Sequence, residues 1–218
     1  MATYVETAAM ANDTEPVGLF TEGAAGIAAI VLAIIALAGI STTALAAVTT
    51  IVIGVGLMVQ GFNTAAENLR LPLIGGVAEF GSEVMTDCLG GGAGIVLGVL
   101  ALIGLNPGVL LSAALIVFGG ALLLSGALAT RTRLGMPAGG AGIPLVAIPG
   151  SAATGGVELL MGVAAAVLGI LALVTGEAHM AVLLLVGFIV VGAALLIVSA
   201  TFGAALTRVF ATNQTAAE

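Results

Sequence analysis

Six stretches of this chain, at about 22–40, 44–61, 89–105, 109–129, 157–175 and 180–203, are apolar almost without interruption. A helix rises 1.5 Å per residue, so about 20 such residues cross a hydrocarbon core about 30 Å thick. A segment of this kind hides its backbone polar groups inside the helix, and its side chains prefer lipid to water. The rest of the chain does not offset this: 61% of all residues are apolar and 7% are charged, where a soluble domain carries about a quarter charged residues. The sequence therefore predicts an all-α integral membrane protein with six transmembrane helices.

The six runs fall into three pairs. Within each pair the connection is a few residues, Ser41-Thr42-Thr43, then Asn106-Pro107-Gly108, then Gly176-Glu177-Ala178-His179, and a connection that short makes antiparallel neighbours. Sliding the chain against itself by sixty-five residues superposes the first two pairs without a gap. Ile30-Val31-Leu32 falls on Ile95-Val96-Leu97, Gly39 on Gly104, and Gly54, Leu57 and Gly61 fall on Gly119, Leu122 and Gly126. The third pair joins after a small insertion, since Val167-Leu168-Gly169-Ile170-Leu171-Ala172-Leu173 repeats Val96-Leu97-Gly98-Val99-Leu100-Ala101-Leu102. A repeat at this period marks stacked copies of one unit. Three tandem hairpins that each spend two crossings enter from the same side, which predicts a pseudo-threefold of parallel repeats about an axis along the membrane normal. The expected organisation is a tail (1–21), hairpin 1 (22–61), a linker (62–86), hairpin 2 (87–129), a linker (130–156), hairpin 3 (157–203) and a C-terminal tail (204–218).

Charge sets the orientation. Arg70, Arg131, Arg133 and Arg208 all follow the second helix of a hairpin and the tight turns hold none, so the positive-inside rule places both termini and the linkers in the cytoplasm. The first twenty-one residues, with Glu6, Asp13 and Glu15 and no basic residue, lack the positive start of a secretory signal and read as a retained tail. With no Lys, four Arg and a net charge of −7, the chain cannot grip nucleic acid phosphates or anionic lipid electrostatically. One cysteine, Cys88, and one histidine, His179, cannot by themselves make a disulfide or a metal site, and no cofactor is expected.

The sharpest polar feature is a candidate carboxylate cluster. Extending the repeat backwards sets Glu22, Asp87 and Glu158 at one equivalent position, the start of the first helix of each hairpin. The plainer reading is that each carboxylate opposes the positive end of its helix, worth about 0.3–1 kcal/mol. The functional reading turns all three toward one axis, where mutual repulsion favours capture of protons or small cations. Thr49, Thr50, Ser112 and Ser199 lie within apolar runs and are expected to bond to a neighbouring helix or to the backbone one turn back. Gly90, Gly94 and Gly98 read as close helix contacts. Glu177 and His179 read as a solvated turn, and Cys88 as a small interface residue. Leu71-Pro72-Leu73-Ile74 and Ile143-Pro144-Leu145-Val146 in the linkers read as surface segments lying on lipid or docking a partner.

At Gly94-Ile-Val-Leu-Gly-Val-Leu-Ala-Leu-Ile-Gly-Leu-Asn-Pro-Gly, followed by Ile116-Val-Phe-Gly-Gly-Ala-Leu-Leu-Leu-Ser-Gly126, the chain resembles the HdeD family of bacterial acid-resistance membrane proteins. That resemblance implies three hairpins in the bacterial inner membrane, a link to acid or envelope stress, and no catalytic residue to carry over. The inventory of nucleophiles, bases and metal ligands points the same way, to a protein that is not an enzyme. Its expected company is membrane lipid, as a homo-oligomer or as an accessory subunit of a larger membrane complex, and not nucleic acid. A proton or small-ion pathway through Glu22, Asp87 and Glu158 is the competing expectation.

Overall fold

The computed structural model describes residues 21–70, 77–134 and 153–215, with side chains described over 21–62, 85–127, 155–176 and 179–200. Within them lie six helices and no strand: α1 (Thr21–Leu37), α2 (Thr42–Arg70), α3 (Val77–Leu102), α4 (Pro107–Leu134), α5 (Ala153–Val174) and α6 (Gly176–Thr215). The fold is all-α, as expected. Five helices, α2 to α6, are long and apolar enough to cross a membrane. The described part of α1 is a shorter apolar helix, about 25 Å long at 1.5 Å per residue.

The first two turns are built alike because they carry equivalent residues. Gly39 at φ +89° and Gly104 at φ +92° end α1 and α3, a conformation glycine adopts without a Cβ penalty. Their N–H groups donate to Ala36 and Ala101 at 3.0 and 3.1 Å. Ser41 at φ +41° and Asn106 at φ +40° follow, and their carbonyls accept from Leu45 and Leu110 to open α2 and α4. Asn tolerates this region well and Ser less so. Pro107 takes the first helical position, where its missing N–H leaves nothing unsatisfied. The third turn is tighter than the four residues anticipated at 176–179: only Thr175 separates α5 from α6, and Gly176 at φ +65° already belongs to α6.

The helices also outrun the apolar runs. Helix α2 continues to Arg70 and α3 begins at Val77, so most of the stretch read as the first linker is helical. The two proline-containing apolar segments, 71–74 and 143–146, lie outside the described residues, as do the tail at 1–20 and the side chains of the four arginines.

Helix α2 packs on α3, α4 on α5, and α6 closes the ring onto α1, while α2, α4 and α6 meet one another at the centre. The ring contacts depend on three glycine pairs. A methyl group added at Gly54 would stand 2.7 Å from the Gly91 carbonyl oxygen, one at Gly119 2.7 Å from that of Gly162, and one at Gly26 2.8 Å from that of Gly192. No real side chain tolerates such distances, so the backbones touch because both partners are glycine. Gly90 meets Ala121, Gly94 lies under Phe118 and Gly98 meets Ile51 and Ala47, which matches their reading as close contacts.

Ala46, Thr50, Ile53, Leu57 and Gln60 on α2 are all buried, and they alternate in steps of four and three. Leu111, Leu115, Phe118, Leu122 and Ser125 repeat the steps on α4, and Leu184, Phe188, Val191, Leu195 and Val198 on α6, again all buried. That spacing is the seam of a coiled coil, here made by three helices that start at the same end.

Candidate functional site

The two ends of this central seam differ. At the turn end, Thr42, Pro107 and Met180, then Thr43, Gly108 and Ala181, then Ala46, Leu111 and Leu184 line a half-open cavity of about 190 Å³. Each trio takes one residue from α2, one from α4 and one from α6, at positions that the sequence alignment of the hairpins sets together. Below it come Thr50, Leu115 and Phe188, then Ile53, Phe118 and Val191, then Leu57, Leu122 and Leu195, every one with no exposed surface. Thr49 and Thr50 donate to the carbonyls of Leu45 and Ala46 at 2.8 Å, and Ser112 to Gly108 at 2.9 Å. Their hydroxyls are thus spent on their own helices, as expected, and offer no polar path.

At the far end, about 21 Å along the helices from Ala46, stand the carboxylates. Glu22, Asp87 and Glu158 are 2%, 1% and 5% exposed. The expected position at the start of a helix does not hold for two of them. Asp87 lies ten residues into α3, and Glu158 lies beyond the first turn of α5, which contains no acidic residue. Helix continues upstream of both because 77–86 and 153–156 are helical rather than linker, so the helix-end dipole is too far away to be the main partner.

Glu158 is seated by Gly126, whose added methyl would be 3.1 Å from the Glu158 Cβ. Its Oε1 accepts a hydrogen bond from Gln60 Nε2 at 2.9 Å, ninety-eight residues away in sequence and fully inside the bundle. Glu22 enters from α1. Ala25 touches the position of Gly56 on α2, and α1 and α2 are antiparallel, so Glu22, about one turn before Ala25, is level with Gln60, one turn after Gly56. Glu22 Oε1 has no hydrogen-bond partner among the described residues. The structure thus brings Gln60 and Glu158 together, with Glu22 at the same level on α1. Asp87 packs its Cβ against Gly61, beside Cys88, whose thiol meets the same glycine. Among the described residues no three His, Cys, Asp or Glu side chains converge as a metal-binding group. His179 is exposed on the first turns of α6, and the Glu177 side chain is outside the described residues.

Gln60 is the participant that the sequence reading passed over. The seam positions 60, 125 and 198 hold Gln, Ser and Val, and an amide near the end of an uncharged apolar run is the signal that would have found the first of them.

Comparison of the chain with family models, with curated proteins and with solved structures gives no match.

Proposed function

We propose that this chain is a non-enzymatic polytopic membrane protein with a structural or protective role in a bacterial envelope under acid stress, as its resemblance to the HdeD family implies. The observation that supports this best is the closed centre. Three successive layers of fully buried side chains, eight of the nine residues apolar, fill the seam between the turn-end cavity and the carboxylate level, which suits a packed body better than a transporter or a catalyst. Outward residues such as Val31, Val96 and Val167, 48%, 58% and 48% exposed, offer lipid tails an apolar face, in a homo-oligomer or in a larger complex. Survival of acid shock by cells with and without the gene tests the role, and complementation by Glu158→Gln tests the part of the buried carboxylates. Equal survival of both strains contradicts it.

The competing reading, a proton or small-ion pathway, draws on the burial of Glu22, Asp87 and Glu158. It requires pH-driven flux in liposomes that the triple amide variant loses, and the apolar seam predicts none.

A further inference from the structure

At the turn end the seam is not filled. The layer one turn inside α2, α4 and α6 holds Leu111 and Leu184 but only Ala46 in the third place, and nearer the mouth Gly108 and Ala181 stand beside Thr43. Side chains that small do not meet across the axis, and the half-open cavity of about 190 Å³ is what they leave. Its two ends are unlike. The floor, made by Ala46, Leu111, Leu184 and Leu185, is apolar and at most 4% exposed, and such a surface gives water nothing to bond to. The mouth, about 6 Å further out along the helices, carries Thr42 and Thr43. The Thr42 hydroxyl donates to the Ala36 carbonyl at 3.4 Å, which leaves its oxygen lone pairs to accept. The Met180 sulfur reaches over Gly108, 2.7 Å from where an added methyl group would stand. None of the lining residues is ionisable, so an ion entering the floor would be buried without a partner, which is costly.

We propose that this cavity binds one small uncharged molecule made of an apolar ring and a single hydroxyl, a phenol or a cyclic alcohol. A dry apolar cavity of about 150 Å³ takes benzene, so one of about 190 Å³ has room for six ring atoms and an oxygen. The ring rests on the leucine floor with the Met180 thioether beside it, a contact that polarizable sulfur makes well with aromatic rings. The hydroxyl stays at the mouth and donates to the Thr42 oxygen. Every lining residue belongs to α2, α4 or α6, so the mouth lies on the seam and takes its occupant from the turn face. The fully buried layer of Thr50, Leu115 and Phe188 stops it from passing further.

The test titrates phenol into the full-length chain in lipid nanodiscs, with the methionine methyl groups carrying carbon-13 and read by NMR at neutral pH. Met180→Leu identifies the Met180 signal, and Met85→Leu identifies that of Met85, 65% exposed and far from the turns, which reports phenol dissolving unspecifically around the protein. The expected result is a Met180 shift that saturates while the Met85 shift stays linear. Benzoate, the same ring with a charge, should not produce it, and Ala181→Phe, which fills the mouth, should abolish it. No saturating shift at Met180, or one that benzoate produces equally or that survives Ala181→Phe, overturns the proposal. The wild-type titrations with phenol and benzoate decide even if Ala181→Phe fails to fold.

Discussion

The turn end and the carboxylate end of the central seam are built from the same three helices by different rules. At the turn end, Thr42, Pro107 and Met180, Thr43, Gly108 and Ala181, and Ala46, Leu111 and Leu184 line a half-open cavity, and none of these side chains is charged. At the far end, equivalent positions hold Gln60, Ser125 and Val198, and one amide reaches across to one carboxylate. The turn end is uncharged packing around open space, whereas the far end buries an amide bonded to a carboxylate. The difference locates specialisation at the two ends of the seam and leaves the middle as scaffold.

Substitutions can break that contrast or sharpen it. The largest loss is expected from Phe118→Ala, which empties a fully buried position of the middle layer and should cost about 3–5 kcal/mol, read by melting in nanodiscs, with both ends loosened together. Next, Gly119→Ala forces a methyl against the Gly162 carbonyl oxygen and the Ala166 N–H and should cost about 1–3 kcal/mol. The equivalent Gly54→Ala and Gly26→Ala should match it to within about 1 kcal/mol if the three ring contacts are alike. Gln60→Leu removes the donor to Glu158 and should cost about 1–3 kcal/mol. This effect should be confined to the far end: a thiol placed at Thr43 should label at the wild-type rate. The smallest effect is a gain. Ser41→Asn relieves a non-glycine residue at φ +41° by copying Asn106 of the second turn, and should raise stability by about 0.5 kcal/mol.

Much of the architecture was legible because bilayer thickness dictates run length and because the repeat sets Gly39 on Gly104 and Gly54 on Gly119. The seam was harder to see. A face is visible in a sequence only when the other faces differ from it, and α2, α4 and α6 are apolar all round, so the four-and-three spacing of Ile53, Leu57 and Gln60 is lost among equally apolar neighbours. The equivalence of Glu22, Asp87 and Glu158 was readable, but their depth was not. Hydropathy marks where lipid begins, whereas Glu67, Asn68 and Glu79 continue their helices beyond it, so Asp87 and Glu158 lie inside helices instead of at their starts. The bond from Gln60 to Glu158 spans ninety-eight residues, and no local pattern announces a contact of that kind.

The most direct test of a sealed seam with two unlike ends is thiol labelling by a small polar reagent in reconstituted vesicles, with single cysteines introduced into a Cys88→Ala background. Thr43→Cys, exposed at the turn-end cavity, should react from one side of the membrane, while Ile53→Cys and Leu57→Cys should stay unreactive from both. Labelling at 53 or 57 would mean that water reaches the middle of the seam, and the closed body described here would be contradicted.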